Sequence, residues 1–467
     1  YFDAQLSAFE TNMPKNNPSV TGFDFGVDVG NAILALRAND PGNESCGYRF
    51  SPARGRHRVD PDNPGQGFLA PFYGYRSRGF AISTRHALDQ PPFDNNKYKT
   101  ALKEVRAKGI KPELTATLPG SLFGNRRDAE ETTVGIYWAY DGANRLGTPP
   151  RLYNQIIREV AAKQGNNEGA NARLFAFVNA AMGDAGILAW EQKYCHDFWR
   201  PVVGIREHDE TLGPRAPHDV NVNFNDGDPF WLPLGAPNTN RPTMKNFTPN
   251  FPAYPSGHAT FGAAAFHITR LFYGKGFEAG GTAVIPGGKP IIKGGNLVKD
   301  DLFDGLGFVS EELNGMNQDN QGTVRPRHVR SFNFDNGEKH LSGGLGRMII
   351  ENALSRVYLG VHWMFDAFAG EDGKPEFNAA GLKIGGVPLG LKIAEDIFLT
   401  GGGKAPKLST TTNPPENLPA QPSDVAGCAD NRRAAPAARK AKGETAAEEP
   451  EEKQKVETPY LSGTSRR

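Results

Sequence analysis

The stretch ARLFAFVNAAMGDAGILAWEQKYCHDFW, residues 172–199, decides the fold class of this chain. Apolar residues recur three and four positions apart along it and cover nearly the whole circumference of the predicted helix. A helical segment of this kind has to be surrounded by other elements, so it predicts a pair of helices buried at the centre of a bundle. The same periodicity recurs in residues 132–140, 150–164, 258–274, 341–366 and 389–399. Strand-like alternation is rare, and the sequence therefore predicts a mainly α fold, a helical bundle.

Composition divides the chain into three regions. Residues 1–125 are rich in Gly, Pro and Asn and predict a loop-rich layer, with some helix, packed on the core. Residues 126–400 carry the helical periodicity and form the predicted catalytic domain, interrupted by a Gly-rich insertion at 275–340. Residues 401–467 have few large apolar side chains, which predicts a low-complexity extension without a packed core.

Charge and hydropathy limit the classes of partner. Lys plus Arg is 53 against Asp plus Glu 52, a formal net charge of +1, which argues against nucleic acid as a partner. An anion bound by this chain would be held locally by focused charge. Continuous apolar runs fall short of the roughly 18 to 20 residues that span a bilayer, so we expect a soluble protein.

The cysteines say little about the compartment. Cys46, Cys195 and Cys428 lie far apart and are odd in number, which gives neither a disulfide framework nor a zinc-ligand spacing. At most one bridge could form, and three free thiols are the favoured interpretation. Secretion or a periplasmic location therefore stays open.

The segment KYCHDFWRP, residues 193–201, carries two cations near the end of the buried helical stretch. Lys193 and Arg200 are seven residues apart, which at about 100° per residue places both on one helical face, separated by about 10 Å along the axis. Pro201 is expected to stop the helix just beyond them. The alternative is an ordinary solvated face, but the apolar surroundings would make an unpaired cation costly.

The segment PSGH, residues 255–258, has the features of a helix start that binds an anion. Ser256 is a possible N-cap and hydroxyl donor, and Gly257 lets the backbone approach a ligand closely. Free backbone N–H groups and the positive end of the helix dipole favour an anion there. His258 in the first turn could exchange a proton with it. The alternative is a Ser N-cap followed by an incidental histidine.

The segment SRVYLGVHWMFD, residues 355–366, adds a third set of polar side chains. Arg356 and His362 would face different sides of a regular helix, but Gly360 between them offers a break that lets both converge. Asp366 follows His362 by four residues and could bind its second ring nitrogen, fixing the tautomer. The alternative for His362 is a histidine satisfied within the core.

Taken together, the three segments supply positive donors and two imidazoles, the groups that a tetrahedral oxyanion requires. Their pattern, Lys-x6-Arg-Pro, Pro-Ser-Gly-His and Ser-Arg-x5-His-x3-Asp, resembles that of the vanadium-dependent haloperoxidases and the related type 2 phosphatidic acid phosphatases. The likeness to the fungal chloroperoxidase branch runs from about residue 132 to 399 and includes WAYDGANRLGTPPRLYNQI, NAAMGDAGILAWEQK and FPAYPSGHATFG.

The resemblance implies two four-helix bundles with the anion site at the end of one, and vanadate as the cofactor. By this resemblance His362 would bond the vanadium, His258 would act as acid–base, and Lys193 would polarise the bound peroxide. Vanadate oxygens would be held by five residues, namely Lys193, Arg200, Ser256, Gly257 and Arg356. An upstream acid, Asp141, would pair with Arg356, while Trp190 and Phe251 would line the halide pocket.

The expected activity is oxidation of halide by hydrogen peroxide to hypohalous acid, which halogenates small organic acceptors. Trp190 and Phe251 resemble the chloroperoxidase pocket, so we expect bromide oxidation, with iodide also a substrate and chloride possible. The alternative is a soluble acid phosphatase in which His362 forms a phospho-histidine and His258 protonates the leaving alcohol. A protein that only binds the anion would not need two opposed histidines. Association into a homo-oligomer stays open.

Overall fold

The structure is a computed structural model, and it describes residues 11–12, 14–42, 47–67, 69–93, 95–143, 146–207, 227–275, 283–285, 289–293, 295–333 and 343–411. The chain forms two units, Tyr1–Gly42 and Asn43–Arg467. The described part of the first unit is dominated by helix α1, Asn17–Leu36, which exposes large apolar side chains such as Phe25 and Leu34.

Helices dominate the described part of the second unit. They are α2 Tyr73–Arg76, α3 Asn96–Lys108, α4 Gly120–Phe123, α5 Ala129–Tyr137, α6 Pro149–Lys163, α7 Glu168–His196, α8 Pro201–Glu207, α9 Gly257–Phe272, α10 Gly344–Tyr358, α11 Met364–Ala367 and α12 Gly386–Thr400. Short 3₁₀ turns lie at Pro112–Thr117, Glu311–Leu313 and Gly381–Lys383. The mainly α fold class predicted from the sequence is confirmed.

Helix α9 is the central element of the bundle. It packs against α12, α7, α10 and α6, and almost all of its residues are buried. Its contact with α12 is backbone-close, because a Cβ at Gly390 would lie 2.4 Å from the carbonyl oxygen of Thr260. A glycine is therefore required where the two helices cross. This packing fixes the N-terminus of α9, where the PSGH segment begins.

Helix α7 differs from the predicted pair of helices. It is one continuous helix of 29 residues that begins at an Asn167 cap, whose side chain accepts a hydrogen bond from the backbone N–H of Ala170 at 2.9 Å. Among the described helices it is the one whose length and composition would suit a membrane span, but 61% of its most apolar window is buried inside the protein. Its apolar circumference is explained by this burial in the bundle.

The end of α7 also differs from the prediction. The helix ends at His196, because Asp197 adopts a left-handed conformation with φ +50°. Pro201 does not stop a helix; it occupies the first turn of α8, where a missing N–H has no cost. Lys193 therefore projects from α7 and Arg200 from the connection before α8. The prediction that they share one helical face was wrong.

Short strands occupy part of the region between α9 and α10. Strands β1 Ala283–Ile285, β2 Lys289–Lys293 and β3 Asn296–Leu297 form an antiparallel sheet in sequential order. A second antiparallel pair follows α11, with β4 Gly370–Glu371 against β5 Lys374–Pro375. Neither sheet contributes a residue to the three segments that the sequence singled out.

Backbone hydrogen bonds join residues 55–57, which precede α3, to residues 197–199, which follow α7. His57 N donates to Asp197 O at 3.0 Å, and Trp199 N donates to Gly55 O at 3.0 Å. Cys195 in the last turn of α7 is disulfide-bonded, so the expectation of three free thiols was wrong. Cys46, Cys428 and the extension after residue 411 lie outside the described residues.

Candidate active site

Lys193 and Arg200 converge even though a helix end separates them. Both cationic groups lie over the ring of Phe251, with Lys193 Nζ 5.1 Å and Arg200 Cζ 4.9 Å from its centroid. Both side chains are buried, and burial lowers the pKa of Arg200 to about 9. The left-handed turn at Asp197 reverses the chain enough to bring the second cation back beside the first.

Lys193 is saturated with hydrogen bonds in this structure. Its ammonium donates to three backbone carbonyls, Pro252 O at 2.9 Å, Ala253 O at 2.9 Å and Pro255 O at 2.6 Å. Burial, followed by the charge of Arg200, depresses the pKa of Lys193 well below its ordinary value. Lys193 therefore anchors the loop that leads into α9, and it could reach a bound oxyanion only by giving up one of these carbonyls.

Arg200 connects the first segment with the third. Its Nε donates to Phe251 O at 2.9 Å, and its Nη1 lies 2.9 Å from both Val361 O and His362 Nε2. Nη2 is buried and has no hydrogen-bond partner among the described residues. One guanidinium nitrogen is thus left to bind a ligand.

The PSGH segment begins α9 as the sequence predicts. Ser256 is the N-cap, and its side chain accepts from the backbone N–H of Ala259 at 3.4 Å. His258 lies in the first turn, where its Nε2 contacts Ala139 O at 2.5 Å. Since Nε2 is occupied by a carbonyl, Nδ1 is the ring nitrogen that can exchange a proton. Burial, reinforced by the charge of Arg356, lowers the pKa of His258 to about 3.

The third segment breaks where Gly360 was expected to break it. Helix α10 ends at Tyr358, and Gly360 adopts φ +73° with its Cα packed against the backbone of Gly109. Arg356, in the last turn of α10, forms a two-bond ion pair with Asp141 at 2.9 and 2.7 Å. Its Nε is buried without a partner among the described residues, so this second guanidinium also retains a donor.

Asp366 contacts His362 from the first turn of α11, and the two residues do not lie on one face of a continuous helix. Asp366 Oδ2 lies 2.7 Å from His362 Nδ1 and accepts from the backbone N–H of Trp363 at 3.0 Å. The carboxylate therefore fixes the proton on Nδ1 and leaves the lone pair on Nε2. Burial and the nearby Arg200 keep the pKa of His362 well below its ordinary value, so the ring is neutral. The same burial raises the pKa of Asp366 to about 7.

Trp190 and Phe251 form an aromatic pair beside the cations. Their ring centroids are 4.7 Å apart with the planes tilted by 48°. The Trp190 ring packs on Gly257, where a Cβ would lie 3.4 Å from it, and on Lys193 Nζ at 5.7 Å from the centroid. The two aromatic positions named from the sequence thus flank both the loop and the cations.

All the residues that the sequence singled out lie in one buried, positively charged site. Three basic side chains, Lys193, Arg200 and Arg356, face two acidic side chains, Asp141 and Asp366. Two of these guanidinium groups retain unpartnered donor nitrogens. The described residues contain no group of three His, Cys, Asp or Glu that could chelate a bare metal cation. This donor set fits an oxyanion, in which any metal is already surrounded by oxygen.

Sequence reasoning missed His57. It lies in the N-terminal layer, is fully buried, and is close enough to Arg200 and Lys193 for their charges to lower its pKa well below the ordinary value, after the larger effect of burial. No motif surrounds it in the sequence. Only the backbone pairing of residues 55–57 with 197–199 brings it to the site.

Known proteins similar to this chain agree with the geometry. Residues 173–301 match the family model described as the VCPO second helical-bundle domain. The chain is 35% identical over 460 residues to the vanadium chloroperoxidase of Curvularia inaequalis, which covers 81% of this chain and 67% of that protein.

Two solved structures show weaker likeness. The first bacterial vanadium-dependent iodoperoxidase superposes with a TM-score of 0.47 at 18% identity and covers 84% of this chain and 71% of its own. An apo-type bacterial vanadium-dependent chloroperoxidase gives a TM-score of 0.44 at 16% identity, with 81% and 73% covered.

Proposed function

We propose that this chain, which belongs to the vanadium haloperoxidase family, binds vanadate and uses hydrogen peroxide to oxidise bromide and iodide to hypohalous acid. Peroxide and halide are the substrates that the family implies, and small organic molecules would accept the halogen. The observation that carries the proposal is the buried site in which unpartnered donors of Arg200 and Arg356 accompany His362, whose Nε2 lone pair faces the Arg200 guanidinium at 2.9 Å.

The residues present fit vanadate. Arg200 and Arg356 would hold its oxygens through Nη2 and Nε, together with Ser256 and the backbone N–H of Gly257 at the start of α9. His362 Nε2 carries the lone pair that would bond the metal once Arg200 Nη1, now 2.9 Å away, turns to a ligand oxygen. Bound in this way, vanadium(V) acts as a Lewis acid that activates peroxide toward a halide.

His258 is the residue we assign to proton transfer. Its Nε2 is held by Ala139 O, which orients the ring and leaves Nδ1 as the exchanging atom. A neutral imidazole can accept the proton that peroxide loses on binding and return it to the departing oxygen. The low pKa of His258 means that this ring starts the cycle unprotonated.

Lys193 and Asp141 are assigned supporting parts in the reaction. Asp141 fixes the Arg356 guanidinium through two hydrogen bonds, so that Nε stays aimed at the ligand. Lys193 holds the carbonyls of residues 252–255 and would polarise peroxide after exchanging one of them for a ligand oxygen. Its positive charge acts on the site in either position, because the surroundings are buried.

The aromatic pair favours halide chemistry over phosphate-ester hydrolysis. Trp190 and Phe251 form an apolar wall directly against two cations, an environment that desolvates a soft monovalent anion without binding it by hydrogen bonds. A small polar alcohol leaving group would gain little from such a wall. Bromide and iodide are easier to oxidise than chloride, so we assign them first.

One assay with three arms tests the proposal. The protein is measured without added anion, with vanadate, and with vanadate plus excess phosphate, using bromination of monochlorodimedone as the readout. We expect bromination that requires vanadate and is suppressed by phosphate. Hydrolysis of a phosphate ester by the vanadate-free protein, without bromination in any arm, would instead establish the phosphatase.

Two variants distinguish vanadate binding from proton transfer. His362→Ala should abolish vanadate retention, because it removes the metal ligand. His258→Ala should retain vanadate but slow bromination by about 10²-fold, the usual contribution of a positioned acid–base group. His267→Ala, a buried histidine near the middle of α9 and away from its N-terminal first turn, is the matched control for damage to that helix. Full activity in His362→Ala would contradict the assignment.

A further inference from the structure

Tyr140 lies between two residues that orient the anion site. On one side of it, Ala139 O contacts His258 Nε2 at 2.5 Å. On the other side, the Asp141 carboxylate binds Arg356 at 2.9 and 2.7 Å. The imidazole assigned to proton transfer and one guanidinium of the site are therefore held by the two chain neighbours of the same residue.

The backbone of Tyr140 adopts a conformation that its side chain disfavours. Its φ is +47°, in the left-handed region, where a bulky residue is rare because its Cβ crowds the neighbouring carbonyl oxygen. Such a conformation persists only when the surrounding structure holds it, and it is concentrated at functional sites. Here it turns the chain just after α5, so that Ala139 O points to the start of α9 and the Asp141 side chain points to the end of α10.

The side chain of Tyr140 is held by the Gly-rich insertion, residues 275–340. Its hydroxyl accepts from Glu311 N at 2.9 Å and donates to Gln155 Oε1 at 3.2 Å, with Glu311 Oε2 3.4 Å away. The side chain of Ser310 also hydrogen-bonds this hydroxyl. Burial, followed by the charge of Glu311, raises the pKa of Tyr140, so the hydroxyl stays protonated and keeps its donor.

The 3₁₀ turn that carries Glu311 is itself fixed from three directions. Arg151 of α6 pairs with the Glu311 carboxylate, its Nη2 donating to Oε1 at 2.8 Å. Ser310 Oγ donates to Tyr137 O, at the end of α5, at 2.7 Å. Asn317 Nδ2 donates to Glu311 O at 2.7 Å. The position of the hydroxyl that these groups surround is therefore determined by the packing of the insertion on α5 and α6.

We propose that Tyr140 is a positioning residue of the anion site. The insertion fixes its hydroxyl, and its left-handed backbone then directs Ala139 O to His258 and the Asp141 carboxylate to Arg356. The insertion thus belongs to the site, although it supplies none of the residues assigned to the ligand. The inference rests on the proposed haloperoxidase function for its reaction, but the ring of His258 and the binding of the anion can be measured without that reaction.

The first test observes His258 in the protein without vanadate. In protein labelled with ¹⁵N-histidine, the His258 signals are those that disappear in His258→Gln. We expect a single tautomer in the wild type, with the proton on Nε2, because Ala139 O accepts it. In Tyr140→Phe, which removes only the hydroxyl, we expect shifts averaged between two tautomers. The His362 signals should stay unchanged, because Asp366 holds that ring.

The second test measures the two contacts through their functions. In calorimetric titration, Tyr140→Phe should bind inorganic vanadate roughly tenfold more weakly, the lower end of what an outer partner of a ligand-binding residue contributes. At saturating vanadate, peroxide and bromide its kcat should fall roughly tenfold, because a displaced His258 loses part of the about 10²-fold or more that a positioned acid–base group supplies.

Two further variants separate positioning from damage to the fold. Tyr137→Phe makes the same change at a buried tyrosine of α5, whose hydroxyl donates to Phe308 O of the insertion at 3.4 Å. It should leave the His258 signals unchanged, and kcat and vanadate affinity within twofold of wild type. Ser310→Ala loosens the turn from the side of the insertion. It should change the His258 signals in the same direction as Tyr140→Phe, and it serves as the test where that variant does not fold.

The outcomes are distinct. Unchanged His258 signals in Tyr140→Phe and Ser310→Ala would overturn the positioning role. A change in the His258 signals alone, or in vanadate affinity alone, would assign Tyr140 to one contact and would overturn the joint role. Equal losses in Tyr137→Phe would reduce the insertion to a stabilising element and would also overturn it. If wild-type protein with vanadate does not brominate, the proposed function fails, and the tautomer and the titration still decide the role of Tyr140.

Discussion

The hydrogen bonds of Asp366 make a graded prediction for vanadate binding. Oδ2 accepts both from His362 Nδ1 at 2.7 Å and from Trp363 N at 3.0 Å, whereas Oδ1 is buried with no partner among the described residues. In Asp366→Asn the amide oxygen can take the place of Oδ2 and keep both bonds. The amide nitrogen then takes the position of Oδ1, where no described residue donates a hydrogen bond, so it does not face another donor. The substitution should therefore preserve the tautomer of His362 and remove only the charge.

The size of the effect follows from this difference. A hydrogen bond to an ionised acceptor is about twice as strong as a neutral one, so the amide should leave roughly half of the support. Partners of this kind contribute about 10- to 100-fold to metal affinity. We expect Asp366→Asn to weaken vanadate binding roughly tenfold, about 1.4 kcal/mol, and Asp366→Ala to weaken it roughly 100-fold. Calorimetric titration with inorganic vanadate measures both.

Asp300 is a matched control for the same chemical change. Its Oδ1 accepts from Leu345 N at 3.0 Å, and its Oδ2 accepts from Gly346 N at 2.9 Å, at the start of α10. Asp300→Asn must therefore set an amide N–H against a backbone N–H, and should lower the melting temperature while leaving vanadate affinity within twofold. If Asp366→Asn loses as much vanadate affinity as Asp366→Ala, the argument that one oxygen of Asp366 accepts both hydrogen bonds is refuted.

Two further predictions concern stability. Gly390→Ala places a Cβ 2.4 Å from Thr260 O and should destabilise the fold by about 1–3 kcal/mol, seen as a lower melting temperature, whereas Gly169→Ala, whose nearest atom would be 3.6 Å away, should not. Burial raises the pKa of Glu312 from 4.5 to about 7, and the nearby Arg325 opposes this shift. The contribution of Glu312 to the free energy of unfolding is therefore fully present below pH 4.5 and is lost as the pH rises through about 7. Glu312→Gln should therefore flatten the decline of melting temperature over that range; an unchanged slope would count against the assignment.

The local parts of the site were predictable because their causes are local. A Ser-Gly pair before an apolar periodic run predicts a capped helix, and α9 begins at Gly257 with Ser256 as its cap. A glycine between Arg356 and His362 predicts a break, and Gly360 supplies it with φ +73°. These outcomes depend on backbone preferences within a few residues.

Other features depended on contacts that the sequence does not display. The end of α7 is set by the left-handed conformation of Asp197, whose carboxylate accepts from Tyr48 OH at 2.6 Å, a residue 149 positions earlier. His57 reaches the site through the pairing of 55–57 with 197–199. Helical periodicity carries no information about such long-range pairing, so the path of Arg200 was predicted wrongly and His57 was not identified.

The burial of three cations against two carboxylates has a consequence beyond catalysis. Repulsion among Lys193, Arg200 and Arg356 in a medium of low permittivity destabilises the native state, and a bound multivalent oxyanion offsets this repulsion. Loading and folding are therefore linked equilibria: ligand at 100 times its dissociation constant adds about 2.7 kcal/mol to the unfolding free energy. Phosphate, which has the same shape and charge, should therefore also raise the free energy of unfolding, at concentrations set by its own dissociation constant.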